Sequence, residues 1–278
     1  MKKAKRSTQL HLIMLSLWMA ATSIGYAQDT LWIFTFPSDS NVSVTVHSSV
    51  TSYSGGYTYN YSLTSATSSE QNVEGFFIDH GSSIDSIASP NQWLGEPSGL
   101  PSEISHSIMW GSLDSLADIF PGVQLGGFKI TSSGLPSVYR FHAKGFSETP
   151  ILDGEPDSLI GGDVFENSFK GLTIAPKDPP LPFNSLAFLD TIKTNINQSR
   201  TLGWITDDPT ANKYTAFIDS ARSNLQANRR GVTKAKLDLI LQNVDADSGS
   251  TLSSEAYALL RFNTEYVLKK LREYHKEH

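Results

Sequence analysis

The spacing of apolar residues changes once along the chain, and this change constrains the fold most strongly. Over residues 42–46, Val alternates with Ser and Thr, which is typical of a strand with one buried face. Over residues 189–196, apolar residues recur at helical spacing. A Pro-rich linker at residues 176–184 separates the two patterns. We therefore predict an α+β protein of two separate domains, an antiparallel β-sandwich at residues 28–175 followed by a small α-helical bundle at residues 185–274.

Short strand-like runs separated by Gly- and Pro-containing turns characterise the first half, as expected for a sandwich. Tyr57, Tyr59 and Tyr61 alternate with small polar residues and predict one further strand. The other predicted strands lie at residues 31–36, 73–78, 104–110, 126–131, 138–143 and, as a last strand or hairpin, 164–174.

About four helices are predicted in the second half. Capping or first-turn residues are expected at Ser185, Asp208, Thr233 and Ser253, since these side chains accept hydrogen bonds from free helical amides. In the last helix, apolar residues including Leu259, Leu260 and Val267 form the predicted buried stripe.

Four segments of the second half share their order with a known bacterial domain. They are LGWI at residues 202–205, ARSNL at 221–225, TKAK at 233–236 and SSEAYALL at 253–260. Over about residues 186–271 the chain thus resembles the FIMAH domain, a small helical module of exported bacterial proteins. The resemblance implies an extracellular accessory module appended to other domains, and it supplies no catalytic residues. Residues 28–184 resemble no family that we recognise.

The first 27 residues have the layout of a signal peptide. Basic residues at positions 2–6 precede a mostly apolar run at residues 10–21, and small residues follow at Gly25 and Ala27. The alternative is a retained membrane anchor, but the apolar run is shorter than the roughly 20 residues that a spanning helix needs. We predict cleavage after Ala27, no later transmembrane segment, and a secreted, cell-surface or periplasmic location.

Charge and cysteine content exclude several classes of function. Residues 28–184 contain 5 Lys and Arg against 17 Asp and Glu, which disfavours nucleic-acid binding because that depends on basic side chains. The absence of cysteine excludes disulfides, a cysteine nucleophile and thiolate metal sites.

No catalytic motif stands out in the sequence. The segment Asp79-His80-Gly81-Ser82 contains the residue types of a hydrolytic triad, but neighbours on an extended chain face opposite sides, and no G-x-S-x-G motif is present. Acidic residues such as Glu70, Glu74 and Glu96 offer many carboxylate pairs whose separation in space the sequence does not define. The enzyme assignment therefore stays open and leans towards a non-enzyme.

An acidic, Gly-rich segment provides the preferred metal-site hypothesis. Asp153, Glu155, Asp157 and Asp163 lie in a loop-like stretch, and hard cations are bound by such oxygen ligands on flexible backbone. These residues are the candidate Ca²⁺ ligands, and no other cofactor is indicated.

A second segment, with Asn243, Asp245 and Asp247, resembles the ligand spacing of an EF-hand. Gly249 and Ser254 do not fit that pattern, however, which favours a helix-ending turn.

Three aromatic residues are the candidate ligand-binding residues. Trp93 lies in a turn-rich segment, while Tyr57 and Tyr59 share one face of a strand. Planar rings of this kind stack on sugar rings, although core packing explains the tyrosines equally well.

Together these features predict an exported, non-catalytic bacterial protein that binds an extracellular polysaccharide or a surface protein. A secreted hydrolase with its site in the sandwich loops and a structural envelope or matrix component are the alternatives.

Overall fold

The computed structural model describes residues 41–97, 106–146 and 168–273. Over these ranges the chain forms nine β-strands, followed by four α-helices. The predicted strand at residues 31–36 lies outside the described residues.

The strands form two antiparallel sheets. They are β1 (Val44–Tyr53), β2 (Gly56–Ser65), β3 (Val73–Asp79), β4 (Ser86–Ala88), β5 (Trp93–Pro97), β6 (Ser107–Ser112), β7 (Gln124–Ser132), β8 (Leu135–Gly145) and β9 (Phe169–Lys177). One sheet has the order β1-β2-β7-β4 and the other has the order β5-β6-β3-β8-β9. The predicted antiparallel sandwich is confirmed, and its last strand extends into the predicted linker.

Aromatic side chains fill the space between the sheets. Phe76 stacks on Trp110 with ring centroids 5.4 Å apart, and Phe128 meets both rings edge to face. These residues are completely buried, as is Tyr59. The alternation of inward aromatic and outward polar residues thus places the largest side chains in the core.

The helices are α1 (Ser185–Thr201), α2 (Asp208–Gln226), α3 (Arg230–Asp247) and α4 (Ser254–Glu273). Each helix packs on the next, and α4 returns to pack on α1, which confirms the helical bundle. Buried Ile192, Ile240 and Leu260 contribute to its core.

Helix starts differ in detail from the sequence predictions. Asn184, rather than Ser185, accepts the amides of the first turn of α1, and Asp207, rather than Asp208, caps α2. The third helix begins at Arg230, so that Thr233 is buried within it. Asn184 and Asp207 each directly precede the predicted capping residue, and either side chain of such a pair can accept helical amides. The third helix begins without a side-chain cap hydrogen bond.

The amino end of α4 covers one edge of the sandwich. Strands β1 and β9 are the outer strands of their sheets, and both contact α4. The Ser48 amide donates to Glu255 Oε1 at 2.7 Å, and Ser254 Oγ donates to the Ser48 carbonyl oxygen at 2.7 Å. The helix therefore satisfies backbone groups that an outer strand leaves without a strand partner.

Apolar packing extends this contact along α4. Ala258, Leu259 and Phe262 belong to the buried cluster of the sandwich, whereas Leu260 belongs to that of the bundle. Asn263 Nδ2 also donates to the Pro136 carbonyl oxygen at 2.9 Å. One helix thus supplies side chains to both hydrophobic cores.

A search of the described residues for a helix with the length and hydropathy of a bilayer span finds none.

Replacing Glu255 tests the edge contact. Glu255 is 2% exposed, so that Glu255→Ala leaves the Ser48 amide buried without its acceptor, and we expect a loss of about 1–3 kcal/mol in the free energy of unfolding. Urea denaturation measures this loss. The matched variant Lys269→Ala, on an exposed position of the same helix, is expected to change stability by less than about 0.5 kcal/mol. Equal urea midpoints for Glu255→Ala and the unmodified protein would contradict the proposed role.

Candidate functional site

The hairpin–helix cleft, with a volume of about 780 Å³, lies where the β1–β2 hairpin approaches α3 and α4. Its walls come from hairpin residues 52–57, from Ser133, Leu135 and Pro179, from Asp238 and Leu241 of α3, and from Glu265, Tyr266, Leu268, Lys269 and Arg272 of α4. Clefts between domains are common sites of ligand binding.

Tyr57 links the cleft to both cores. Its half-buried ring lies 5.1 Å from the Phe262 ring, centroid to centroid, and it packs against both buried clusters. Burial, together with the smaller effects of the nearby Glu265 and Tyr266, raises the pKa of Tyr57 to about 12. The phenol is therefore neutral at physiological pH and retains its proton for donation.

Charged side chains of both signs line the cleft. Glu265 pairs with Arg261 at 2.8 Å, and Lys269 lies 4.0 Å from Glu273. Within the described ranges, Asp238 and Arg272 have neither an ion pair nor a side-chain hydrogen bond. These two groups retain their capacity to accept and to donate hydrogen bonds, respectively.

A hydrogen-bonded chain fixes the wall at residues 133–135. Tyr59 Oη donates to the Gly134 carbonyl oxygen at 2.8 Å, and the Gly134 amide donates to Ser132 Oγ at 3.0 Å. Ser132 Oγ lies 3.1 Å from Ser82 Oγ, which donates to Asp178 Oδ1 at 2.5 Å. The turn between β7 and β8 is thereby tied to the segment that carries Pro179.

Of the three predicted aromatic residues, Tyr57 alone lines the cleft. Trp93 is 5% exposed; its ring meets Phe128 edge to face at 5.1 Å, and its Nε1 donates to the Ala117 carbonyl oxygen at 2.9 Å. Tyr59 is completely buried. Neither Trp93 nor Tyr59 presents a ring face for stacking on a ligand, and both side chains contribute to the core instead.

The predicted Ca²⁺ ligands Asp153, Glu155, Asp157 and Asp163 lie outside the described residues. Within the part of the chain that the structure describes, no cluster of three or more His, Asp or Glu side chains has the arrangement of a metal site.

The segment Asp79-His80-Gly81-Ser82 does not form a nucleophile–base pair. His80 Nδ1 lies 2.8 Å from the carbonyl oxygen of Ser82, whereas the Ser82 hydroxyl donates to Asp178. Burial lowers the pKa of His80. The segment closes a turn and supports the cleft wall, because its serine belongs to the chain of hydrogen bonds described above.

Sequence reasoning did not identify Tyr53, Asp238 or Arg272 as site residues. Tyr53 adjoins the turn 54–56, which the sequence does reveal through its Ser-Gly-Gly composition. Asp238 and Arg272 are ordinary polar residues of their helices, and only the docking of the bundle on the sandwich brings them to the hairpin.

Comparisons with known proteins provide little further information. No protein-family model and no curated protein matches the chain. One solved structure that matches is an uncharacterized protein from Nocardia farcinica, described as having an immunoglobulin-like fold. The two chains are 12% identical with a TM-score of 0.27, and the match covers 48% of this chain and 97% of the other. The resemblance of residues 186–271 to the FIMAH domain stays a prediction.

Asp79 provides a test of the electrostatics next to the cleft wall. Burial raises the pKa of its carboxyl from 3.8 to about 6, against a smaller opposing effect of Arg140. Because the folded state binds the proton more tightly than the unfolded state, the contribution of Asp79 to stability is fully present below about pH 4 and is lost as the pH rises through about 6. Asp79→Asn removes this dependence, so we expect it to raise the free energy of unfolding at pH 7.5 by about 1–3 kcal/mol.

Urea denaturation between pH 4 and pH 8 measures this effect, with Glu96→Gln on the exposed face of β5 as the control. The prediction would be contradicted if the difference in the free energy of unfolding between Asp79→Asn and the unmodified protein were the same at every pH.

Proposed function

We propose that the chain is an exported, non-catalytic bacterial protein that binds an extracellular partner, a carbohydrate or a surface protein, through the hairpin–helix cleft. The proposal rests on the cleft itself, which combines tyrosine rings with charged groups of both signs. Two of these charged groups, Asp238 and Arg272, have no partner among the described residues. Ligand sites are typically concave, with a few polar groups placed to orient the ligand.

The lining of the cleft supports binding in preference to hydrolysis. Its described walls contain no histidine, and the Ser82 hydroxyl donates to the Asp178 carboxylate and not to His80, whose Nδ1 lies 2.8 Å from the Ser82 carbonyl oxygen. Nucleophilic hydrolysis requires a nucleophile and a base within hydrogen-bond reach. A secreted hydrolase remains the alternative that a panel of glycoside and peptide substrates would reveal.

The proposal also includes the signal peptide, the FIMAH-like bundle and a Ca²⁺ site formed by acidic residues of the segment 153–163. We expect export to remove residues 1–27 because small residues at Gly25 and Ala27 form the cleavage site. Mass spectrometry of the exported protein should give Gln28 as its first residue. Ala27→Arg should leave the precursor uncut, while Thr30→Ala should be processed normally. An exported chain that still begins at Met1 would contradict this prediction.

Filling the cleft tests the binding function. Ser52 is an exposed residue of β1 that lines the cleft, so that Ser52→Trp places a large ring in it. We expect Ser52→Trp to weaken binding of the chain at residues 28–278 at least about tenfold, since the ring displaces the ligand from its contacts. A glycan array and a phage-displayed peptide library supply the two classes of probe.

The matched control is Ser49→Trp, which introduces the same ring at an exposed position of β1 outside the cleft and should leave binding unchanged. Binding that Ser52→Trp does not weaken, or the absence of binding to either class of probe, would contradict the proposed function.

A further inference from the structure

We infer that the hairpin–helix cleft takes a neutral oligosaccharide, with Tyr53 as the stacking surface and Asp238 and Arg272 as hydrogen-bonding groups. This inference rests on the proposed function and specifies the chemistry of its ligand. It follows from two properties of the cleft, a fixed but exposed ring and unpartnered groups of both signs, and from the covered edge of β1 at Ser48, four residues before Ser52.

The ring of Tyr53 is exposed, and contacts with Gly55 and Asp85 hold it in place. It lies at the end of β1 and is 44% exposed. The ring lies over Gly55, where an added Cβ would be only 2.8 Å from Tyr53 Cε2, so that this packing requires glycine. Its hydroxyl donates to Asp85 Oδ2 at 3.3 Å. A ring that is fixed before binding loses little conformational freedom when the apolar face of a sugar stacks on it.

The charged groups favour a ligand without net charge. Asp238 and Glu265 would repel an anionic ligand, and Lys269 and Arg272 would repel a cationic one. A hydroxyl group both donates and accepts hydrogen bonds. Sugar hydroxyls can therefore donate to the Asp238 carboxylate and accept from the Arg272 guanidinium without adding a charge to the cleft.

A peptide would find fewer of the groups on which peptide recognition depends. An extended peptide gains affinity by adding to the edge of a sheet. At Ser48, the outer edge of β1 is already hydrogen-bonded to Ser254 and Glu255. The volume of the cleft also falls within the range of about 300–1,000 Å³ that is typical of pockets for small ligands.

Titration calorimetry of residues 28–278 against cellohexaose, xylohexaose, maltohexaose and chitohexaose tests the inference, with hexagalacturonate as the anionic probe. We expect at least one neutral hexasaccharide to bind. Tyr53→Ala should weaken this binding at least about tenfold, and Tyr53→Phe, which keeps the ring, should recover most of the loss. Asp238→Asn should also weaken it, and Ser49→Trp should not.

The outcomes separate this inference from the proposed function. If no neutral hexasaccharide binds but Ser52→Trp abolishes binding to a displayed peptide, the ligand class is wrong and the binding function stands. If hexagalacturonate binds more tightly than every neutral probe, and Asp238→Asn strengthens that binding, the ligand is anionic and the inference is overturned. If no probe of any class depends on the cleft, both proposals fail.

Discussion

The structure depends on one hydrogen bond between distant parts of the chain, from the Ser48 amide to the Glu255 carboxylate. A sandwich whose outer strands are β1 and β9 leaves backbone groups without partners along one side, and such groups are unstable when they are buried and aggregation-prone when they are exposed. The first turn of α4 supplies both an acceptor and a donor to Ser48, and Thr173 of β9 contacts the Ser48 hydroxyl at 3.2 Å. The helix thereby joins both sheets to the bundle at one point.

This contact also creates the candidate site. Because α4 lies across the sandwich edge, its later turns face the tip of the β1–β2 hairpin across the cleft. These turns carry Glu265, Tyr266, Lys269 and Arg272. Phe262 of the same helix packs against Tyr57, which lines the cleft. Tyr57 and Trp204 contact both hydrophobic clusters, so the position of the cleft walls is coupled to the packing of the two domains. The same helix both stabilises the fold and provides one wall of the cleft.

The sequence predicts the elements better than their contacts. Alternation in β1 and β2 and the helical spacing in α1 and α4 are local signals, and the strands and helices formed where these signals lie. The sequence predicts a loop at Trp93 because Pro90, Asn91 and Gly95 surround it, yet β5 pairs with β6 and the indole is buried in the core. The stripe on α4 predicts burial but not the partner: Leu259 packs in the sandwich and Leu260 in the bundle. Residues that meet only through docking, such as Tyr53 and Asp238, therefore give no sequence signal.

Hydrogen exchange in increasing urea, followed by mass spectrometry, tests most directly whether α4 and the sandwich edge form one stabilising unit. We expect peptides from β1 and α4 to share one opening free energy, because the Ser48 amide loses protection when α4 leaves the edge. Exchange of α4 at a lower urea concentration, while the Ser48 amide remains protected, would contradict this expectation.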